Sequence, residues 1–369
     1  MTELEDLIRE SIAERGPISI ASYMQVCLGH PVHGYYMKQD PFGEGGDFTT
    51  APEISQMFGE LLGLWAIAGW QAAGSPNPVS LIELGPGRGT LMADALRAAR
   101  GSDDFKRTMQ VHLVETSPAL RAMQQTRLAE SGVNAAWHDR LEDALNQSQG
   151  PVFILGNEFL DALPIHQFVL TDQGWRERLI GLGEGGALTF VIAPGPPPAF
   201  AENILRTRST EVGAIAEFCP AVVGIVQQCA AAIAARGGCA LFVDYGYGQS
   251  AAGDTLQALK GHEYVSAFTD PGDVDLTAHV DFEAAARGAL VGGAVPFGPV
   301  GQGEFLSRIG IGQRAERLAA SNPDQTKPVM EALDRLTNEA RMGKLFKVMA
   351  LAPQGVVPPG FQAEDAFKI

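Results

Sequence analysis

Several stretches of this sequence set acids at the ends of apolar runs, where a bound molecule can reach them. The apolar run Val79–Leu84 carries Glu83 and then turns through Gly85, Gly87 and Gly89 into a helical stretch from Thr90. Glycines suit a sharp turn and a close approach of backbone to ligand. The helix start behind them offers unpaired N–H groups. A dinucleotide turn, G-x-G-x-x-G, seats a pyrophosphate on that helix end. Here Gly89 comes one residue early, Thr90 stands in the third glycine's place, and Glu83 would repel a pyrophosphate. The same carboxylate suits the ammonium of a methionine moiety, so the pattern E-x-G-x-G-x-G points to S-adenosyl-L-methionine (SAM).

Further acids fall where such a ligand would continue. Glu115 closes the apolar run His112-Leu113-Val114, and an acid at the end of a second parallel strand can accept both ribose hydroxyls. Asp139 follows a weakly marked strand near Trp137 and is the candidate for the adenine amino group. After Val152–Leu155 comes Asn157-Glu158-Phe159-Leu160-Asp161-Ala162-Leu163-Pro164. Asn157 is assigned to the cofactor side, and Glu158 with Asp161 can grip a guanidinium bidentately, aligning one nitrogen for attack. If a helix began there, the same three residues would serve as its caps. Asp244-Tyr245-Gly246 ends a fifth strand, and His279, flanked by Asp275 and Asp281, is a candidate proton acceptor; a structural histidine is the other reading. Residues 29–55 form a long loop with Tyr35, Tyr36, Phe42 and Phe48. Loops of that length are functional or disordered, and the aromatics argue against disorder. It is expected to cover the cofactor, with Asp47, Thr49 and Thr50 near the methionine end.

The elements that must position these residues are legible as patterns. Leu4, Leu7, Ile8 and Ile12 recur at helical spacing up to Gly16-Pro17, a second helix follows from Ser19 to about Leu28, and a third from about Ser55 to Ala72. From Val79 short apolar runs alternate with helices (79–84, 90–100, 111–114, 118–130, 152–155, 221–236, 239–243), the signature of parallel βαβ units. Residues 166–171, 175–182 and 187–192 interrupt it as an antiparallel meander with turns at Gln173-Gly174 and Gly185-Gly186. A helix at 282–290, mostly helical residues 304–340 and a last strand at 344–351 complete the chain. No repeat of fixed period is present.

Composition narrows the class. With 27 Lys and Arg against 43 Asp and Glu, the net charge is −16, which disfavours nucleic acid as a partner because phosphate binding needs clustered cations. A basic partner or an arginine-bearing peptide would be attracted. The four cysteines have no zinc-knuckle spacing and read as reduced thiols. His30 and His33 lack a neighbouring acid, so no metal site is expected. The N-terminus has neither a secretory nor a transit-peptide pattern, and no apolar run would span a bilayer, so cytoplasmic localisation without membrane insertion is expected.

The chain resembles the MidA-like methyltransferases, a family with mitochondrial members that act as protein-arginine methyltransferases and assist assembly of respiratory complex I. The resemblance spans nearly the whole length. It rests on Gly34-Tyr35-Tyr36, Gly46–Ser55, Phe58-Gly59-Glu60, Glu83–Thr90, Val114-Glu115, Asn157–Pro164, Asp244–Gly246, Asp275–Phe282, Gln302 with Phe305-Leu306, and Met342–Lys347. It implies an α/β fold: a seven-stranded class I Rossmann-like SAM methyltransferase sheet, an N-terminal helical cap and an inserted antiparallel β subdomain. The expected division is 1–77 for the cap and active-site loop, 78–165 with 216–300 and 341–355 for the SAM-binding core, 166–215 for the β insertion, and 301–340 for a helical C-terminal insertion. It also implies symmetric dimethylation of an arginine on the 49-kDa (NuoD-type) subunit of complex I in a bacterial cytoplasm, or in the mitochondrial matrix for eukaryotic relatives, and a homodimer is a further expectation. A complex I assembly chaperone without catalysis, or a small-molecule methyltransferase, are the competing functions. The glycine turn yields a first test: Gly87→Val is expected to abolish the binding of S-adenosyl-homocysteine (SAH) seen in wild type by calorimetry, and equal binding by the two proteins would refute the cofactor assignment.

Overall fold

A computed structural model of the chain describes residues 2–38, 50–206 and 208–368. These fall into two compact units. One comprises Thr49–Leu160, Val223–Gly248 and Phe282–Ile369; the other comprises Met1–Phe48, Asp161–Val222 and Gln249–Asp281.

The first unit is built on seven strands: β1 (Val79–Leu84), β2 (Met109–Val114), β3 (Ala135–His138), β4 (Val152–Asn157), β5 (Gly238–Tyr247), β6 (Val295–Gly301) and β7 (Phe346–Ala352). They run side by side in the order β3-β2-β1-β4-β5-β7-β6. The first five are mutually parallel, with Leu84 opposite both Val114 of β2 and Gly156 of β4. β7 runs antiparallel between β5 and β6. β1 and β4 are buried along their whole length, as parallel strands covered on both faces must be, and this explains their unbroken apolar runs. β6 was not foreseen, because Val295-Pro296-Phe297-Gly298-Pro299 reads as a turn. It is an edge strand with a register shift between Phe297 and Val300, and prolines are tolerated at edges and bulges.

Helix α1 (Gln56–Ala72) starts at Ser55, whose hydroxyl accepts from the Met57 N–H (3.2 Å). It lies against α2 (Thr90–Ala98), the helix that follows the glycine turn. The contact is close because two glycines of α1 face it. A Cβ on Gly59 would lie 2.6 Å from Asp94 Cβ, and one on Gly63 would lie 2.6 Å from Ala95 Cα. Glu60, on the same helix, is buried and ion-paired. It accepts from Arg97 Nε of α2 (3.0 Å) and from Arg314 Nε (2.6 Å) of helix Ile311–Ser321, within the region the sequence marks as helical. Asp94 adds a second carboxylate beside Arg97, and burial pushes its pKa up to about 6.

In the second unit, strands His166–Thr171, Gly174–Leu182 and Leu188–Ile192 form the expected meander, joined by Ile215–Phe218 and by the two-residue strand Ile18–Ser19. Helices Glu3–Arg15 and Ile20–Gly29 contribute Leu4, Ile8, Ile12, Tyr23 and Met24 to a core shared with Ile165, Ile180 and Leu276. A small three-stranded sheet of Gln257–Lys260, Glu263–Val265 and Asp275–Thr277 belongs to the same unit. These strands are three or four residues long, too short to show a period in the sequence.

The α1–α2 contact makes a stability prediction. Gly63→Val must push the backbone of Ala95 away, and overpacking of this kind costs about 1–3 kcal/mol. A lowered urea-unfolding midpoint is expected, while Gly101→Ala, with open space around it, should shift it little; equal midpoints for both variants would show that the helices have slack.

Candidate cofactor site

Glu83 lies on β1, at the centre of the parallel strands, and is only 3% exposed. Its Oε2 is buried and meets no hydrogen-bond partner among the described residues. Burial, and secondarily the negative charge of Glu115, push its pKa up to about 8. Beyond it the backbone takes left-handed values at Gly85 (φ 60°), Gly87 (φ 51°) and Gly89 (φ 77°). Such values exclude most side chains. At Gly85 there is a second reason: a Cβ there would lie 2.7 Å from the Phe159 ring.

Glu115 follows β2 and is buried. Its Oε1 accepts from the Ser117 N–H (2.8 Å) and its Oε2 from Gln124 Nε2 (3.2 Å). Burial raises its pKa, and these two bonds act against the rise. Asp139 follows β3; its exposed carboxylate accepts from Arg121 Nη2 (2.6 Å), whose Nε bonds the Glu115 carbonyl (2.8 Å).

β4 ends at Asn157, which is buried with its Oδ1 unpartnered among the described residues. Its Nδ2 donates to Glu158 Oε1 (3.1 Å), which also accepts from the Ala51 N–H (2.9 Å). Glu158 has φ 48°, a strained value for a residue with a side chain. Residues 158–164 form turns and not a helix, so Asn157, Glu158 and Asp161 cap nothing there. Asp244, at the carboxyl end of β5, holds the turn in place. Its Oδ2 accepts from the Phe159 and Leu160 N–H groups (3.1 and 2.9 Å), and its Oδ1 from the Tyr245 N–H (3.0 Å).

The first unit therefore brings together Glu83, the three glycines, Glu115, Asp139, Asn157 and Glu158 at the carboxyl ends of parallel strands, where open α/β sheets bind ligands. Thr50 is in this unit and buried, while Asp47 and Thr49 lie outside the described residues. Asp161 and His279 belong to the second unit, where the Ala278 N–H donates to the Asp161 carbonyl (3.0 Å). His279 is half-buried, and burial lowers its imidazole pKa. Its backbone N–H donates to Thr255 Oγ1 (3.0 Å), and the Thr255 backbone N–H donates to the buried Glu217 (2.9 Å). Tyr36 hydrogen-bonds Asp275 (2.9 Å), and burial together with the charges of Asp275 and Asp161 keeps its hydroxyl protonated.

Sequence reasoning missed Gln124. Its Nε2 donates to the Gly87 carbonyl (2.7 Å) as well as to Glu115, and its Oε1 accepts from Trp137 Nε1 (2.8 Å). One side chain thus ties the glycine turn to the second acid. The signal was present: Leu120, Gln124 and Leu128 share one buried helical face, and a carboxamide on an apolar stripe must have partners there.

The strand order, the antiparallel β7, the glycine turn and its unpartnered acid define a class I SAM-dependent methyltransferase fold. Residues 61–300 match the protein family described as "Putative S-adenosyl-L-methionine-dependent methyltransferase", and the chain belongs to it. The chain is 38% identical over 383 residues to the mitochondrial protein arginine methyltransferase NDUFAF7 of Mus musculus, covering 96% of this chain and 85% of that one. The homologue named for Drosophila melanogaster is 37% identical, covering 94% and 84%. The fold is similar to that of a Burkholderia thailandensis protein solved with bound S-adenosyl-homocysteine, with a TM-score of 0.86 and 29% identity over 99% of this chain and 95% of that chain. The MidA-like resemblance and the SAM cofactor stand on these matches. Among the described residues no helix is long and apolar enough to cross a membrane.

If Glu83 meets the ligand's ammonium, its raised pKa makes cofactor binding proton-linked. At pH 6 to 7 Glu83 is neutral in the free protein. A ligand ammonium favours its ionised form, so binding releases a proton and affinity rises with pH. SAH affinity should strengthen roughly tenfold or more between pH 6 and pH 8. Calorimetry in buffers of different ionisation heat should report the released proton, and Glu83→Gln should flatten the slope; a flat profile in wild type would mean that Glu83 does not meet the ammonium.

Proposed function

We propose that the chain methylates an arginine side chain of a protein, with the 49-kDa-type subunit of complex I as the client and symmetric dimethylarginine as the product. The observation that carries this reading is Glu158: a carboxylate at the carboxyl end of β4, held at a strained φ beside Asn157. Its relatives' name, protein arginine methyltransferase, supports the same acceptor.

In this reading Glu83 and the turn Gly85–Gly89 hold the methionine end of SAM, joined there by Asp47, Thr49 and Thr50. Glu115 takes the ribose, Asp139 the adenine amino group, and Asn157 fixes the cofactor side. The unpartnered oxygens of Glu83 and Asn157 are what a cationic, hydrogen-bonding ligand would satisfy. When bound, SAM supplies an electrophilic methyl group on a sulfonium. Glu158 and Asp161, three residues apart, hold the guanidinium and fix which nitrogen is presented. A guanidinium has delocalised lone pairs and a pKa above 12, so alignment and charge are what the protein can contribute. His279, kept neutral by burial, accepts the proton.

The reading is tested by single-turnover methyl transfer to the purified subunit and by mass spectrometry of that subunit from cells with and without the protein. Glu158→Gln and Asp161→Asn should each lower the rate roughly thirty- to a thousand-fold, a barrier cost of about 2–4 kcal/mol, with SAH binding nearly intact. His279→Ala should cost roughly ten- to a hundred-fold. Wild-type rates in both acid variants would remove the arginine clamp. An unmethylated subunit that still needs the protein for assembly would favour the chaperone reading.

A further inference from the structure

The four-residue helix Ala51–Ile54 touches both turns that follow the central strands. At its start, the Ala51 N–H bonds Glu158 (2.9 Å). Two residues on, the Glu53 carboxylate accepts from the Thr90 hydroxyl at the first position of α2. Arg88, between Gly87 and Gly89, brings its Nη1 to 3.7 Å from Glu53 Oε2. Arg127 brings its Nη1 to 4.0 Å from Glu53 Oε1 and also donates to the Thr90 hydroxyl. Glu53 is thus the shared anion of two guanidinium groups, one of which belongs to the cofactor-binding turn itself.

That placement has an electrostatic consequence. SAM carries a sulfonium and an ammonium against one carboxylate, so it has one positive charge more than SAH. Without Glu53 the surroundings of the turn would carry one more net positive charge, which would repel it. We propose that Glu53 is a positioning residue of the cofactor site, pinning and neutralising Arg88 and Arg127 so that the glycine turn accepts a cationic cofactor. The proposal rests on SAM binding and on nothing about the methyl acceptor.

The test compares the two ligands on the full-length protein without acceptor, by equilibrium dialysis for SAM and calorimetry for SAH. Glu53→Ala should weaken SAM about tenfold and SAH only about threefold, because the charge penalty falls on the sulfonium form. Glu53→Gln keeps an acceptor for the Thr90 hydroxyl and loses the charge. It should leave SAH within about twofold of wild type while SAM still weakens several-fold, and it covers the case in which the alanine variant folds poorly. Adding Arg88→Met to Glu53→Gln should return SAM affinity most of the way to wild type. A role confined to packing predicts equal losses for SAM and SAH, and that outcome, or unchanged affinity for both, overturns the proposal.

Discussion

Glu83 is 3% exposed on the central strand, and one of its oxygens has no donor among the described residues. Burying a carboxyl group without a partner is costly, and ionising it there costs more. In the reading proposed above, a ligand ammonium would convert that liability into an ion pair. The surroundings follow from this. β1 is flanked by β2 and β4 and cannot move the acid towards water, and the left-handed glycines of the turn beyond it carry no side chains.

The groups that shape the site act mostly through backbone. Gln124 bonds the Gly87 carbonyl, Asp244 bonds two N–H groups of the turn after β4, and Glu158 bonds the Ala51 N–H. Each fixes a loop by satisfying peptide groups that a strand or helix would otherwise have paired. Loops held this way need no core of their own, which is how a few residues after each strand can be placed as firmly as the strands themselves.

The division between legible and illegible follows the range of the forces involved. The βαβ alternation, the helix expected from about Ser55 to Ala72 and the glycine turn are encoded within short stretches of sequence, and each formed where the pattern placed it. So did the meander at 166–192, whose turns carry their own glycines. β6 stayed hidden because its prolines and Gly298 suppress the strand pattern while β7 supplies the pairing. Asp244 stayed hidden as a support because its partners in the turn after β4 lie 84 and 85 residues away. Glu53 could be seen only as part of a family motif, since its meaning depends on Arg88 and Arg127 arriving from two separate helix starts and ends.

Charge gives the clearest account of what the first unit is built to receive. Its arginines beside the turns after β1 and β2 have carboxylates against them: Arg88 and Arg127 face Glu53, and Arg121 faces Asp139. The acid at the end of the central strand has no cation beside it among the described residues, and its pKa is set by burial and by a neighbouring acid. Neutralised arginines around an unneutralised carboxyl select for positive charge. Both the ammonium and the sulfonium of SAM bring it, and loss of the methyl group removes one of the two charges. In the reading proposed above, the same arrangement would hold the demethylated product less tightly than a cation of equal shape, which would favour release after transfer.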